Sequence, residues 1–126
     1  MAKVLLIDDD EINNFTVEAV LETVGFIEEY EFKENGWDAL DYLKQCEAKG
    51  AFPDLIFVDI NMPEMDGHEF IERYEVLFWE RHPNTKISML SSSISEADRQ
   101  KSLSYSSVSE YAHKPLTREK LETIVQ

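Results

Sequence analysis

The sequence alternates short apolar runs with longer amphipathic stretches, and this alternation limits the possible folds more than any other feature. Residues 4–7 and 55–58 are continuous apolar runs of strand length, and acidic residues follow both of them. Residues 87–90 and 108–113 are two further strand-like runs. Between the runs, apolar residues recur at the three- and four-residue spacing of helices that bury one face. Strands that alternate with helices predict an α/β fold around a parallel sheet.

The remaining segments complete a pattern of five strands and five helices. Residues 28–33 alternate acidic and aromatic side chains, which is typical of an edge strand, whereas the fully apolar run 55–58 is expected in the centre of the sheet. Ten serines in the segment 88–109 indicate only a short fourth helix, near residues 95–103. The other helices are predicted over residues 12–24, 37–46, 70–78 and 121–125. Because no linker or repeat is visible, residues 1–126 are expected to form one domain.

Acidic residues dominate the composition. The chain has 26 Asp and Glu against 12 Lys and Arg, which gives a formal net charge of -14. Such a charge repels nucleic-acid backbones and anionic membrane surfaces, so neither is an expected partner. Cys46 is the only cysteine, which excludes an intrachain disulfide. The first apolar run is too short for a signal peptide, and no run is long enough to cross a membrane, so we expect a cytoplasmic protein.

Polar residues follow four of the predicted strands at the edge of the sheet where ligand sites of open parallel sheets lie. They are Asp8 and Asp9 after the first strand, Asp59 after the third, Ser91 after the fourth and Lys114 after the fifth. Each alone is weak evidence, since an acid after a strand often only caps the next helix. Their convergence at one edge favours a binding site.

The residue types at this edge indicate phosphoryl chemistry. Three carboxylates at one edge repel each other unless a cation compensates them, and Mg²⁺ takes carboxylate and phosphate oxygens as ligands. The Ser91 hydroxyl and the Lys114 ammonium group would neutralise a phosphoryl group. The carboxylate of Asp59 would then be the nucleophile and form an acyl phosphate.

The stretches around these positions resemble the receiver domains of two-component response regulators. The resemblance covers nearly the whole chain, and its most specific part is the run Met62-Pro63-x-Met65-Asp66-Gly67. It rests on four runs in this order: Leu5-Leu6-Ile7-Asp8-Asp9-Asp10, residues 54–67, Ser91-Ser92-Ser93 and Lys114-Pro115. The resemblance implies a flavodoxin-like, doubly wound sheet of five parallel strands in the order 2-1-3-4-5.

The resemblance also implies which residues hold the metal. Asp59 would be the phosphoacceptor and a ligand of Mg²⁺. Asp9 would be the main metal ligand, with Asp8 beside it. The backbone carbonyl of Asn61 would be a further ligand, so this role does not depend on the asparagine side chain.

A second group of residues would bind the phosphoryl group and respond to it. The resemblance implies that Ser91 and Lys114 contact the phosphoryl oxygens, and that Ser92 faces them with its backbone amide. Tyr111 would change its rotamer when Ser91 moves. The Lys114-Pro115 bond is expected to be cis. Two features depart from the family pattern: serine replaces the usual threonine at position 91, and residues 105–108 replace a small pair, which puts the use of the fourth helix as a docking face in doubt.

The resemblance implies a stand-alone, single-domain response regulator. Such a protein accepts a phosphoryl group from a histidine kinase or a histidine phosphotransfer protein, and it assists its own phosphorylation and dephosphorylation without being an enzyme in the usual sense. It then relays the phosphoryl group or changes its binding to a downstream protein that the sequence does not identify.

Three alternative functions remain open. The first is an adaptor with the same fold that needs no phosphate. A hydrolase with Ser91, His113 and Asp59 as its triad is disfavoured, because no glycine flanks Ser91. A Mg²⁺-dependent aspartyl phosphatase of the haloacid-dehalogenase type is disfavoured too, because Asp59-Ile60-Asn61 lacks the second acid.

Several other residues are expected to be structural. His68, His82 and His113 share no metal-ligand spacing and should be exposed or partly packed. Trp37 and Trp79 should pack on helix faces, with an exposed partner patch of Trp79 and Phe78 as the alternative.

Overall fold

The computed structural model describes residues 2–125 and contains one parallel sheet. Its strands are β1 (Ala2–Ile7), β2 (Ile27–Lys33), β3 (Leu55–Val58), β4 (Lys86–Ser91) and β5 (Val108–His113). They lie in the order β2-β1-β3-β4-β5, and each neighbouring pair is parallel. The predicted strand order is therefore confirmed, with the mixed acidic and aromatic strand β2 at one edge and the apolar strand β3 in the centre.

One helix follows each strand along the chain. The helices are α1 (Glu11–Glu22), α2 (Gly36–Ala48), α3 (Gly67–Tyr74), α4 (Glu96–Ser104) and α5 (Arg118–Val125). Within residues 2–125 no helix combines the length and the apolar character that a membrane span requires.

The central strands β1 and β3 are apolar on both faces because each face of the sheet packs against a different pair of helices. Leu5 and Ile7 belong to a core cluster with α2 and α3, whereas Val4 and Leu6 belong to a second cluster with α1 and α5. Successive strand residues point to opposite faces of a sheet, so a fully apolar strand is the one that fits between two helical layers. This doubly wound arrangement is the flavodoxin-like fold.

The third helix differs from its prediction. The apolar spacing predicts one helix over residues 70–78, but the α-helix ends at Tyr74 and continues as a π-helical turn, Glu75–Trp79. Within this turn Phe78 is buried in the core and Val76 is 85% exposed. The alternative of an exposed patch that includes Phe78 is therefore wrong.

Candidate functional site

One of the three consecutive acids in the loop after β1 is a helix cap. Asp10 is the N-cap of α1, and its carboxylate accepts hydrogen bonds from the backbone N–H groups of Ile12 and Asn13 at 3.0 and 3.1 Å. Capping therefore explains Asp10 and leaves Asp8 and Asp9 to be explained by something else.

Asp8 is held firmly in place. Its side chain is buried, Oδ1 accepts from the Asp10 N–H at 2.9 Å, and Oδ2 accepts from Asn13 Nδ2 at 2.9 Å. Asn14 Nδ2 donates to the Asp8 carbonyl at 3.0 Å. Sequence analysis missed these two asparagines, although their place in the first turn of α1 aims them back at the loop after β1. Asp9, in contrast, is exposed.

Asp59 lies at the end of the central strand, where the next helix begins close by. Its backbone N–H donates to the Ile7 carbonyl at 3.0 Å, so it extends the pairing of β1 with β3. Gly67, the first residue of α3, donates its N–H to the Ile60 carbonyl at 2.8 Å. A Cβ atom on residue 67 would lie 2.8 Å from Ile60 Cα and 2.9 Å from the Asp59 carbonyl carbon. The glycine lets α3 approach the backbone that carries Asp59.

Lys114 joins the ends of three strands. Its Nζ lies 2.7 Å from Asp8 Oδ2 and 3.6 Å from Asp59 Oδ2. Its backbone N–H donates to the Ser91 carbonyl at 2.8 Å, which fixes the end of β5 beside β4. The Lys114-Pro115 bond is cis, as predicted. The distances from Nζ to Asp8 and Asp59 show that the lysine side chain reaches into the carboxylate cluster.

At the end of β4, the side chain of Ser91 lies inside the protein. Ser91 is fully buried, and its Oγ accepts from the Ser93 N–H at 3.0 Å. Tyr111 is partly buried, and its hydroxyl donates to the Ser93 carbonyl at 3.2 Å. Ser92, which lies between Ser91 and Ser93 in the sequence, is exposed. Four of the predicted strand ends therefore meet at one edge of the sheet, while the roles given to Ser91, Ser92 and Tyr111 stay predictions.

Three carboxylates at this edge form a candidate metal site. One carboxylate oxygen from each of Asp8, Asp9 and Asp59 lies within 4.8 Å of the others. Ligand oxygens of one octahedral Mg²⁺ lie about 3 Å apart when adjacent and about 4.2 Å apart when opposite, so these oxygens must move closer together to bind the same ion. Oxygen donors alone are the set that Mg²⁺ prefers, and the residues therefore fit it. The Asn61 carbonyl stays a predicted ligand.

The charges of the cluster favour a cation nearby. Burial, together with the negative charge of Asp8, raises the pKa of Asp59 from 3.8 to about 6. Burial acts to lower the pKa of Lys114, but the hydrogen bond to Asp8 and the charge of Asp59 outweigh it, so this pKa is raised. One ammonium group thus offsets only part of the repulsion among three carboxylates.

The histidines do not take part in this cluster. His113 is exposed, whereas Ser91 is fully buried with its Oγ bonded to a backbone N–H, which does not support the triad of a hydrolase. His68 is not exposed or partly packed as predicted: it is buried, and its Nε2 lies 2.8 Å from Ser102 Oγ. A polar partner brought by α4 makes this burial possible.

Comparison with known proteins gives consistent matches. The model of the response regulator receiver domain matches residues 4–126. The two-component response regulator ORR41 of Oryza sativa subsp. japonica is 32% identical over 99% of this chain, which spans 92% of that protein. The sensor histidine kinase CheAY of Helicobacter pylori is 33% identical over 98% of this chain, which spans only 14% of the kinase. The crystal structure of a two component response regulator from Cytophaga hutchinsonii has a TM-score of 0.92 and 33% identity, and the match covers 98% of this chain and 92% of that one.

Proposed function

This chain belongs to the response regulator receiver domain family, and we propose that Asp59 is its phosphoacceptor, with Mg²⁺ as cofactor and a histidine kinase or histidine phosphotransfer protein as donor. We further propose that residues 1–126 act as one receiver domain. Receiver domains partner with proteins of these two classes, and one relative is itself a sensor histidine kinase.

The observation that carries this proposal is the different engagement of the carboxylates. Asp8 has both oxygens occupied, by two N–H donors and by the Lys114 ammonium group at 2.7 Å. Asp9 is exposed and is suited to a metal on the solvent side. Among residues 2–125, Asp59 accepts a long hydrogen bond of 3.4 Å from the Asn61 N–H, and its other oxygen lies 3.6 Å from Lys114. Its oxygens are therefore the ones left to attack phosphorus.

The proposed step is an in-line phosphoryl transfer. A carboxylate oxygen of Asp59 forms a bond to phosphorus while the bond between phosphorus and the histidine nitrogen of the donor breaks, and that nitrogen keeps the electron pair. Bound Mg²⁺ would neutralise charge on the phosphoryl oxygens. Lys114 supplies a fixed positive charge next to Asp59, and the Ser91 hydroxyl donates to a phosphoryl oxygen.

The response to phosphorylation involves Ser91 and Tyr111. A phosphoryl group adds up to two negative charges and strong acceptors, which is enough for about one to three new charge-assisted hydrogen bonds. Movement of the Ser91 hydroxyl toward the phosphoryl group would change the space beside Tyr111. The altered face near β5 would then be the surface that a downstream protein recognises.

The proposal is tested by intact mass after incubation with acetyl phosphate and Mg²⁺. We expect the parent to gain the mass of one phosphoryl group and the Asp59→Asn variant to gain none. Excess chelator should prevent the gain. Asp41→Asn is the matched control, since Asp41 is an exposed acid on α2, and it should be phosphorylated like the parent. Equal mass gain in Asp59→Asn and the parent would show that Asp59 is not the acceptor.

A further inference from the structure

Helix α4 contributes no residue to either core cluster. Ser102 is the only one of its nine residues that is buried. Helices α1, α2, α3 and α5 each place at least two apolar residues in these clusters. The position of α4 therefore depends on polar contacts, of which the one between Ser102 and His68 is buried.

One side of α3 and of the π-helical turn after it supplies the contacts to α4 and to the segment that follows. His68, Glu72 and Glu75 are four and three positions apart, which places them on the same side of a helix. The Tyr105 hydroxyl donates to Glu72 Oε2 at 2.6 Å, and the Ser107 N–H donates to Glu75 Oε2 at 2.9 Å. These two bonds hold the segment directly after α4, whereas His68 contacts α4 itself.

The contact between His68 and α4 suits a neutral imidazole. Ser102 donates its hydroxyl to the Asp98 carbonyl at 2.8 Å, so its oxygen accepts from His68 Nε2–H at 2.8 Å. The other ring nitrogen, Nδ1, has no hydrogen-bond partner among residues 2–125. Because His68 is only 5% exposed, a proton on Nδ1 would place a positive charge inside the protein with no acceptor for its N–H.

The charged groups around His68 act in opposite directions. Three carboxylates favour its protonated form, and they are Asp66 at the N-cap of α3, Glu72 on α3 and Asp98 on α4. Lys101 on α4 disfavours that form. The Tyr105 ring, whose centroid lies 6.0 Å from that of the imidazole, is uncharged at neutral pH. Burial, together with Lys101, outweighs the carboxylates and lowers the pKa of His68 from 6.5.

We propose that protonation of His68 releases the last turn of α4 from α3, so that the attachment of this helix is sensitive to acid. In the attached state the ring is buried and neutral, whereas in the released state it reaches water and takes up a proton at its ordinary pKa. Below pH 6.5 the released state therefore binds more protons, and its population rises as the pH falls, until the attached state is protonated too. The release is local, because no apolar residue of α4 has to leave a core cluster.

Both ends of the released turn keep contacts of their own. In the first turn of α4, Asp98 Oδ2 accepts from the Ser93 hydroxyl at 2.7 Å. After the helix, the carboxylates of Glu72 and Glu75 hold the segment 105–107. The change is therefore confined to the residues around Ser102, and it requires no phosphorylation of Asp59.

Amide hydrogen exchange of the unphosphorylated protein tests this inference. Exchange is measured between about pH 7.5 and about pH 5, the range in which histidine changes its charge, and each rate is divided by that of an unstructured peptide at the same pH to give a protection factor. We expect the protection of the amides of residues 102–104 to fall by up to roughly tenfold per pH unit below pH 6.5, as the uptake of one proton implies. The amides of Arg99 in the first turn and of β3 should keep their protection.

Two variants and a titration identify the responsible group. In His68→Gln the side chain still offers an N–H to Ser102 but takes up no proton in this range, so the protection of residues 102–104 should not depend on pH. The matched control is His113→Gln, which removes an exposed histidine at the end of β5 and should behave like the parent. An NMR titration of the His68 imidazole in the parent should give a pKa below 6.5.

Three results would overturn the inference. They are protection of residues 102–104 in the parent that does not change with pH, a His68 pKa at or above 6.5, and a loss of protection in His68→Gln equal to that of the parent. If His68→Gln does not fold, exchange and titration of the parent still decide. No phosphoryl donor is present in these measurements, so a failure of the proposed function at Asp59 would leave them unchanged.

Discussion

Substitution of Gly67 by alanine should distort the point where α3 meets the end of β3. The added Cβ would meet the Asp59 carbonyl oxygen, and it would lie 2.8 Å from Ile60 Cα and 2.9 Å from the Asp59 carbonyl carbon. All three are backbone atoms. The Gly67 N–H is also bonded to the Ile60 carbonyl at 2.8 Å, so the helix cannot move away without losing that bond.

The size of the effect follows from this lack of freedom. One extra methyl group in a well-packed site costs about 1–3 kcal/mol, and we expect about 2–3 kcal/mol here because backbone rather than a side chain must shift. With a urea m value of about 2 kcal/mol/M, the unfolding midpoint should fall by about 1 M. Because Asp59 moves with the strained backbone, the rate of phosphorylation should fall as well.

Two other glycines provide matched controls. At Gly25 a Cβ would meet no atom within 4 Å, so Gly25→Ala should be neutral or slightly stabilising, by up to about 1 kcal/mol. At Gly36 it would meet the flexible side chain of Met65, whose Cγ lies 3.3 Å away, and the cost should be intermediate. Equal urea midpoints for Gly67→Ala and Gly25→Ala would refute the argument from backbone contact.

Three further predictions concern contacts elsewhere in the chain and the metal. Ser102→Ala should lower the free energy of unfolding by about 1–3 kcal/mol, because it leaves the buried His68 N–H without its partner. Adding His68→Leu should recover most of this loss in urea unfolding, and losses that add up would contradict the contact. The hydrogen bond from Arg81 lowers the pKa of Glu47 from 4.5 to about 2, so this carboxylate stabilises the fold above pH 4.5, and its contribution is lost as the pH falls to 2. The Glu47→Gln variant should therefore show a flatter dependence of unfolding free energy on pH between 4.5 and 2, and a slope like the parent's would count against the ion pair. Mg²⁺ at tenfold its Kd should stabilise the parent by about 1.4 kcal/mol but stabilise Asp9→Ala less, and equal stabilisation of both would exclude Asp9 as a ligand.

Much of the fold and of the candidate site follows from simple sequence patterns. A strand buried on both faces needs a continuous apolar run, so residues 55–58 could be placed in the centre of the sheet. Parallel strands end at a common edge, so Asp59 and Lys114, which are far apart in sequence, could be predicted to meet. These inferences need only periodicity and topology.

Other features depend on contacts that no local pattern contains. The loop after β1 contains three consecutive acids, and only the structure shows that Asp10 caps α1 while Asp8 binds Lys114. His68 and Ser102 are 34 positions apart and both polar, so no apolar spacing connects them. Their burial depends on how α4 lies against α3, which is a property of the whole fold.

The contacts of α4 differ in kind from those of the other helices, because polar groups rather than buried apolar side chains hold it. Burial of apolar surface is non-directional, so a helix held in this way tolerates small shifts without losing its contacts. A hydrogen bond from Ser93 to Asp98 is directional, and a displacement of about 1 Å removes most of it. The serine-rich composition that made this helix a weak prediction also supplies the hydroxyl groups that connect it to Ser91. The position of α4 therefore depends on the geometry of a few polar contacts, whereas the helices with residues in the core clusters are held by apolar burial.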